Sequence, residues 1–144
     1  MTSARAAWSL MCLVAAGCAS PIDVDFCSVA RDGASIGGRL VHVRGVAAFH
    51  RHYAYVTDEA CPGLSVEWNE SAKYRSSPIW DDLTQAIYQE QFSVGPEHDF
   101  RVDVIARFHW RSESEHPRAA ITVEELRSFS AVPAIIRPGE ESTP

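Results

Sequence analysis

The sequence predicts a mostly β protein, a small curved barrel of five strands with one helix between the third and fourth strands. Three observations carry this. In the stretch Leu40–Phe49, Val41 and Val43 alternate with His42 and Arg44, the period of a strand with one buried face, until Gly45 interrupts the run. Glycine inside a strand pattern marks a bulge or bend, because it relaxes into the backbone angles that a kink needs. A long strand bent in its middle can pair with one set of neighbours before the bend and another set after it, which is how a small barrel starts. The second observation is the run from Phe100 to Trp110, where Phe100, Val102, Val104, Ala106, Phe108 and Trp110 alternate with polar residues, Ile105 excepted. The third is a helical stripe, Ile79, Trp80, Leu83, Ala86 and Ile87, opening at Ser77-Pro78.

Taken in order, residues 20–26 read as a tether, with one Pro, two Asp and little periodicity. Residues 27–38 carry a weak helical pattern that ends at the turn signal Gly37-Gly38. The first strand covers about residues 39–49, and His50-Arg51-His52 is a short connection. Tyr53-Ala54-Tyr55-Val56-Thr57, rich in aromatic and β-branched residues, is the second strand. Residues 58–63 form a polar turn containing Pro62-Gly63, and Leu64-Ser65-Val66-Glu67-Trp68 alternates strictly as the third strand, so these two strands are expected to make a hairpin.

Residues 69–77 read as a loop. The helix then starts with Ser77 as its cap and Pro78 in its first turn. Asp81 and Asp82 lie near that end, where negative charge suits the helix dipole. The helix stops before Gly95-Pro96, and the fourth strand runs from residue 100 to 110. After a charged loop, Ala120-Ile121-Thr122-Val123 opens the fifth strand, and Glu124-Glu125 breaks its alternation as a bulge before Leu126 and Phe129. From residue 133 the chain is polar and expected to be disordered. The expected organisation is therefore residues 1–17 as a signal segment, 18–26 as a tether, 27–132 as the domain and 133–144 as a tail.

At 144 residues the chain fits one domain. Its formal charge of −6 and the lack of any basic stripe argue against nucleic acid as a partner, since phosphate binding depends on clustered Lys and Arg. Residues 1–16 join a short charged start to an apolar run, the pattern of a secretory signal. With Cys12 in that segment and Cys18 at its end, Cys27 and Cys61 remain, an even count for an oxidising compartment. A bridge between them would close a loop of about 35 residues, which the chain-entropy relation values at roughly 4 kcal/mol.

Two resemblances extend this reading. Ala15-Ala16-Gly17-Cys18 resembles the bacterial lipobox, which implies that Cys18 is acylated and inserts into a lipid bilayer. Ala19 and Ser20 follow, with no aspartate at the next position, and by resemblance to lipoproteins this implies the outer membrane, facing the periplasm, with secretion to the periplasm as the other destination. Val41-x-Val43-x-Gly45-Val46 followed by Tyr53-x-Tyr55-Val56-x-Asp58 is similar to the opening of many OB-fold domains, five-stranded Greek-key barrels with a helix between strands three and four. Cys27 before the first strand and Cys61-Pro62 after the second also resemble a loose group of small bacterial lipoproteins. The OB resemblance implies a ligand face on strands two and three and the adjoining loops, which points to Arg44, His50, His52, Tyr53, Tyr55 and Glu67. It carries over no catalytic residues and implies no cofactor.

Each candidate has a plainer reading. His50-x-His52 in an extended segment could share a metal ion, but no third ligand stands nearby at a telling spacing, so both read as solvated loop residues. Tyr53 and Tyr55 share one side of their strand and could stack on sugar or base rings; the expected phase turns them into the core and Ala54 and Val56 outward. Trp68, Trp80 and Trp110 lie on apolar stripes and read as core. Adjacent carboxylates at 81–82 and 124–125 point apart, which does not suit acid–base work, and no serine stands in a nucleophile frame. The expected role is non-enzymatic binding of an envelope protein or glycan, with periplasmic metal binding through His50 and His52 as the alternative.

Overall fold

The computed structural model describes residues 20–93, 97–111, 114 and 118–134. They are mostly strand and form one six-stranded sheet with few helices. The elements are β1 (Ile22–Val24), α1 (Phe26–Asp32), a 3-10 turn (Gly33–Ile36), β2 (Leu40–Phe49), β3 (Ala54–Asp58), β4 (Cys61–Glu70), α2 (Ala72–Arg75), α3 (Pro78–Gln91), β5 (His98–Trp110) and β6 (Ala119–Pro133).

β2 carries most of the pairing. Residues 41–43 pair in parallel with β1, residues 46–49 pair antiparallel with β3, and residues 40–47 pair antiparallel with β5 on the other edge. The change of partner on one edge falls at Gly45, where the sequence pattern places the bend. The physical reason differs from the expected one. Among the described residues the positive-φ glycine is Gly38, at 77°, and Gly45 is not in the left-handed region. What Gly45 provides is space: a Cβ there would stand 2.7 Å from the Thr57 carbonyl oxygen and 2.7 Å from Val56 Cγ1. The missing side chain lets the Val56–Thr57 segment of β3 approach β2 closely.

β3 and β4 form the expected hairpin, but its turn is shorter than residues 58–63. Asp58 already pairs with Cys61, and the Asp58 side chain accepts the Ala60 N–H at 2.9 Å, which closes the turn in the manner of an Asx motif. Residues 61–63 therefore belong to β4. β4 runs parallel to β6 and β6 antiparallel to β5, so the ladder passes β2–β3–β4–β6–β5, and β5 pairs again with β2. The register of β6 against β5 slips on either side of Glu125, leaving Glu124 and Arg127 as the extra residues, in keeping with the expected bulge.

Three further differences come from short-range chemistry. The expected tether carries β1, too short to show a period, and Asp25 then caps α1 by accepting the Ser28 N–H at 2.8 Å. The expected loop at 69–77 contains α2, capped by Ser71, whose oxygen accepts the Tyr74 N–H at 3.1 Å. Ser77 stands at the N-cap position of α3 without a side-chain capping bond, because its hydroxyl donates to the Tyr74 carbonyl at 2.6 Å instead.

The core is the inward face of every strand. Val41, Val43, Val56, Val66, Val104 and Ile121 are among its fully buried members. α3, between β4 and β5 in chain order, buries Leu83 completely and packs Ile79, Trp80, Ala86 and Ile87 against this cluster, the stripe seen in the sequence. Fully burying one such aliphatic side chain stabilises by about 1.5–3 kcal/mol.

The outer face of β2 is tied by charge. The buried His42 ring has Nδ1 2.7 Å from Asp23 of β1 and Nε2 2.7 Å from Asp103 of β5, while Arg44 Nε donates to Asp103 at 3.2 Å. Burial opposes ionisation of Asp103, but the hydrogen bonds and charges of His42 and Arg44 outweigh it, holding the carboxyl below its ordinary 3.8. A lowered carboxyl contributes stability that is present above its unfolded value and lost as pH falls through the folded one. Asp103→Asn is accordingly expected to cost on the order of 1.5 kcal/mol near neutrality and to flatten the acid limb of the stability profile. Thermal melts between about pH 6 and about pH 2 check this; parallel profiles for the two proteins would count against it.

Candidate functional site

The β2–β3 connection is a tight hairpin. The His50 N–H donates to the Tyr53 carbonyl at 2.8 Å, leaving Arg51 and His52 at the tip. From there Phe49 pairs with Ala54 and Ala48 with Tyr55. This register turns Ala54 and Val56 inward, Val56 being completely buried, and puts Tyr53 outside at 56 % exposure, with the half-buried Tyr55 lining a surface groove. The expected phase of β3 is thus reversed. The reason lies in residues far along the chain. Phe49 packs edge-on against Trp68 at 5.3 Å and against Phe100 at 6.0 Å, so this end of the interior is already filled by rings. A tyrosine hydroxyl there would also need a polar partner.

Outside, three rings form a compact triangular cluster. Tyr53 and Tyr55 lie 5.8 Å apart and within 15° of parallel, His50 lies 4.7 Å from Tyr53 and 5.6 Å from Tyr55, and His50 Nε2 hydrogen-bonds the Tyr55 hydroxyl at 3.2 Å. Beside them is a groove of about 480 Å³ lined by His52, Tyr53, Tyr55, Ser65, Glu67 and Asn69, with Trp68 also in its wall. The β4 contributions follow from strict alternation: Val66 and Trp68 go to the core, so Ser65, Glu67 and Asn69 face out.

Glu67 is held at both oxygens. Oε2 accepts from Arg111 Nη1 at 2.7 Å and Oε1 from Asn69 Nδ2 at 3.2 Å. The Arg111 hydrogen bond, helped by Asn69 and opposed by partial burial, holds its carboxyl below the ordinary range. A carboxylate fixed in that way is a good hydrogen-bond acceptor and a poor proton carrier.

Of the residues singled out in the sequence, the fold gathers His50, His52, Tyr53, Tyr55 and Glu67 on this one face. Arg44 is not with them; it reaches Asp103 and borders a separate groove with Asp58, Glu59 and Arg101. Arg111 and Asn69 join the site without a sequence signal, Arg111 from a position 44 residues beyond Glu67. Among the described residues no three of His, Cys, Asp and Glu converge as ligands for a metal ion. Asp81 and Asp82 are exposed on α3, and Cys18 lies outside the described residues. Cys27 and Cys61 are joined by a disulfide, with their Cα atoms 5.5 Å apart, which fastens α1 to the first residue of β4. Among the described residues no helix is long and apolar enough to cross a membrane. No known protein family, curated protein or solved structure matches the chain.

Proposed function

We propose that this chain is an envelope lipoprotein whose domain is an OB-fold barrel that binds a glycan, without catalysis, on the outer face of β3 and β4. The barrel reading is supported by the ladder that leaves β2 through β3, β4, β6 and β5 and meets β2 again, by the parallel β4–β6 pair, and by the position of α3 between β4 and β5. The membrane anchor and outer-membrane location rest on the lipobox-like Cys18.

One observation carries the ligand class: the outward cluster of Tyr53, Tyr55 and His50, set beside a groove whose other wall offers Ser65, Glu67 and Asn69. Aromatic rings meet the apolar faces of sugar rings, while an ionised carboxylate, an amide and a hydroxyl accept and donate to sugar hydroxyls. An acidic chain of net charge −6 suits a neutral partner better than a polyanion. Calorimetric titration with chitohexaose, an uncharged sugar chain, tests it. The parent is expected to bind, and Tyr53→Ala and Tyr55→Ala are each expected to weaken binding about tenfold or more. A flat titration of the parent, with crosslinking in cells that captures a protein dependent on the same tyrosines, would replace the glycan by a protein partner. Loss of labelled palmitate in Cys18→Ala tests the anchor, and retention of label would remove it.

A further inference from the structure

Resting on that glycan-binding reading, we infer that the site is a track for an extended sugar chain, continuing from the tyrosine groove over the hairpin tip onto the end of α3. The joint is His50. It packs against both Tyr53 and Tyr55, and it also lines a second groove of about 450 Å³ together with Phe49, Arg51, Phe92, His98 and Asp99. His50 thus borders the second groove and touches the two tyrosines that line the first.

Phe92 in the wall of the second groove pairs with Tyr88 beside it, and both rings are left outside the core. Tyr88 and Phe92 are 63 % and 69 % exposed, their rings 4.6 Å apart and tilted by 46°. With Tyr53 they are the exposed large hydrophobic side chains among the described residues. Such residues clustered around grooves, rather than scattered, mark a surface built for contact. Aromatic contacts spaced over two adjacent grooves match a ligand that repeats along its length.

The walls are fixed before any ligand arrives. Glu90, one residue before the end of α3, accepts the His98 N–H at 2.8 Å and faces His98 Nδ1 at 3.0 Å, locking the helix end to the start of β5. The His50–Tyr53 backbone bond holds the tip opposite, and Ala134 N–H donates to the Glu97 carbonyl at 3.0 Å behind it. Such preorganisation lowers the ordering cost of binding. The second groove sets Arg51 among Glu90, Glu97 and Asp99, an acidic balance that disfavours a polyanion. Hydrogen-bonding groups of both kinds remain for hydroxyls and amides.

The test compares sugar chains of two lengths on the intact protein by calorimetry. Chitohexaose is expected to bind about tenfold more tightly than chitobiose. The double substitution Tyr88→Ala with Phe92→Ala, both exposed and outside the core, is expected to bring chitohexaose down to the chitobiose level and to leave chitobiose unchanged; a melting curve matching the parent checks the fold. Tyr55→Ala is expected to weaken both sugars. If the double variant binds chitohexaose as the parent does, the track is wrong while the tyrosine site stands. If the parent binds neither sugar, the glycan reading and the track fall together.

Discussion

Placing valine at residue 45 is expected to abolish the native fold, and alanine there to cost about 3 kcal/mol. The atom in the way decides the size of the effect. A Cβ at Gly45 meets the Thr57 carbonyl oxygen at 2.7 Å, and that oxygen belongs to the backbone of β3. A side chain can swing aside; a paired strand cannot move without opening its ladder. Thr57 pairs with Val46, and its hydroxyl donates to the Val46 carbonyl at 3.4 Å, so displacement of β3 would break the contact at the point where β2 changes partners. The second obstacle, Val56 Cγ1, belongs to a completely buried core residue. Urea denaturation of Gly45→Ala beside Gly63→Ala provides the measurement. Gly63 has open space around the position of a Cβ, so that control should stay within about 0.5 kcal/mol of the parent. Equal midpoints for the two variants would show that β3 does not crowd Gly45 as described.

Removing the disulfide is the other large effect. Cys27→Ala with Cys61→Ala is expected to lower stability by about 4 kcal/mol, the chain-entropy value for a loop of this length. The bridge spans 34 positions and joins α1 to β4, so it encloses β2 and β3 entirely. Without it, the unfolded chain gains the freedom of that whole loop. In a small domain such a loss consumes much of the stability available, typically about 5–15 kcal/mol in all. Denaturation with and without reductant, alongside the double variant, measures it. Reductant should bring the parent to the midpoint of the variant, and an unchanged midpoint would reject the assignment.

What the sequence could disclose followed from one-sided burial. A strand with one face in the core must alternate, and a helix lying on that core must show a stripe, so Leu64–Trp68, Phe100–Trp110 and Ile79–Ile87 were legible from their periods. β1 was not, because three residues show no period. The phase of β3 was not, because Tyr53-Ala54-Tyr55-Val56 alternates equally well either way. The choice is made by Phe49, Trp68 and Phe100, which reach the same volume from three other strands. The position of Gly45 was readable while its cause was not, since crowding by Thr57 exists only once β3 is folded back. The site was half visible for a similar reason: His50, His52, Tyr53, Tyr55 and Glu67 lie near one another in the chain, whereas Arg111 arrives through the topology.

The placement of β1 sets an orientation. Ile22 pairs with Val41, so the incoming chain joins β2 at its first residues, while Tyr53, Tyr55 and His50 cluster where β2 finishes. Nine residue-to-residue steps of extended backbone lead from Leu40 to Phe49, at most about 30 Å. A molecule moored by its leading end would hold these rings away from the mooring, at the other end of β2.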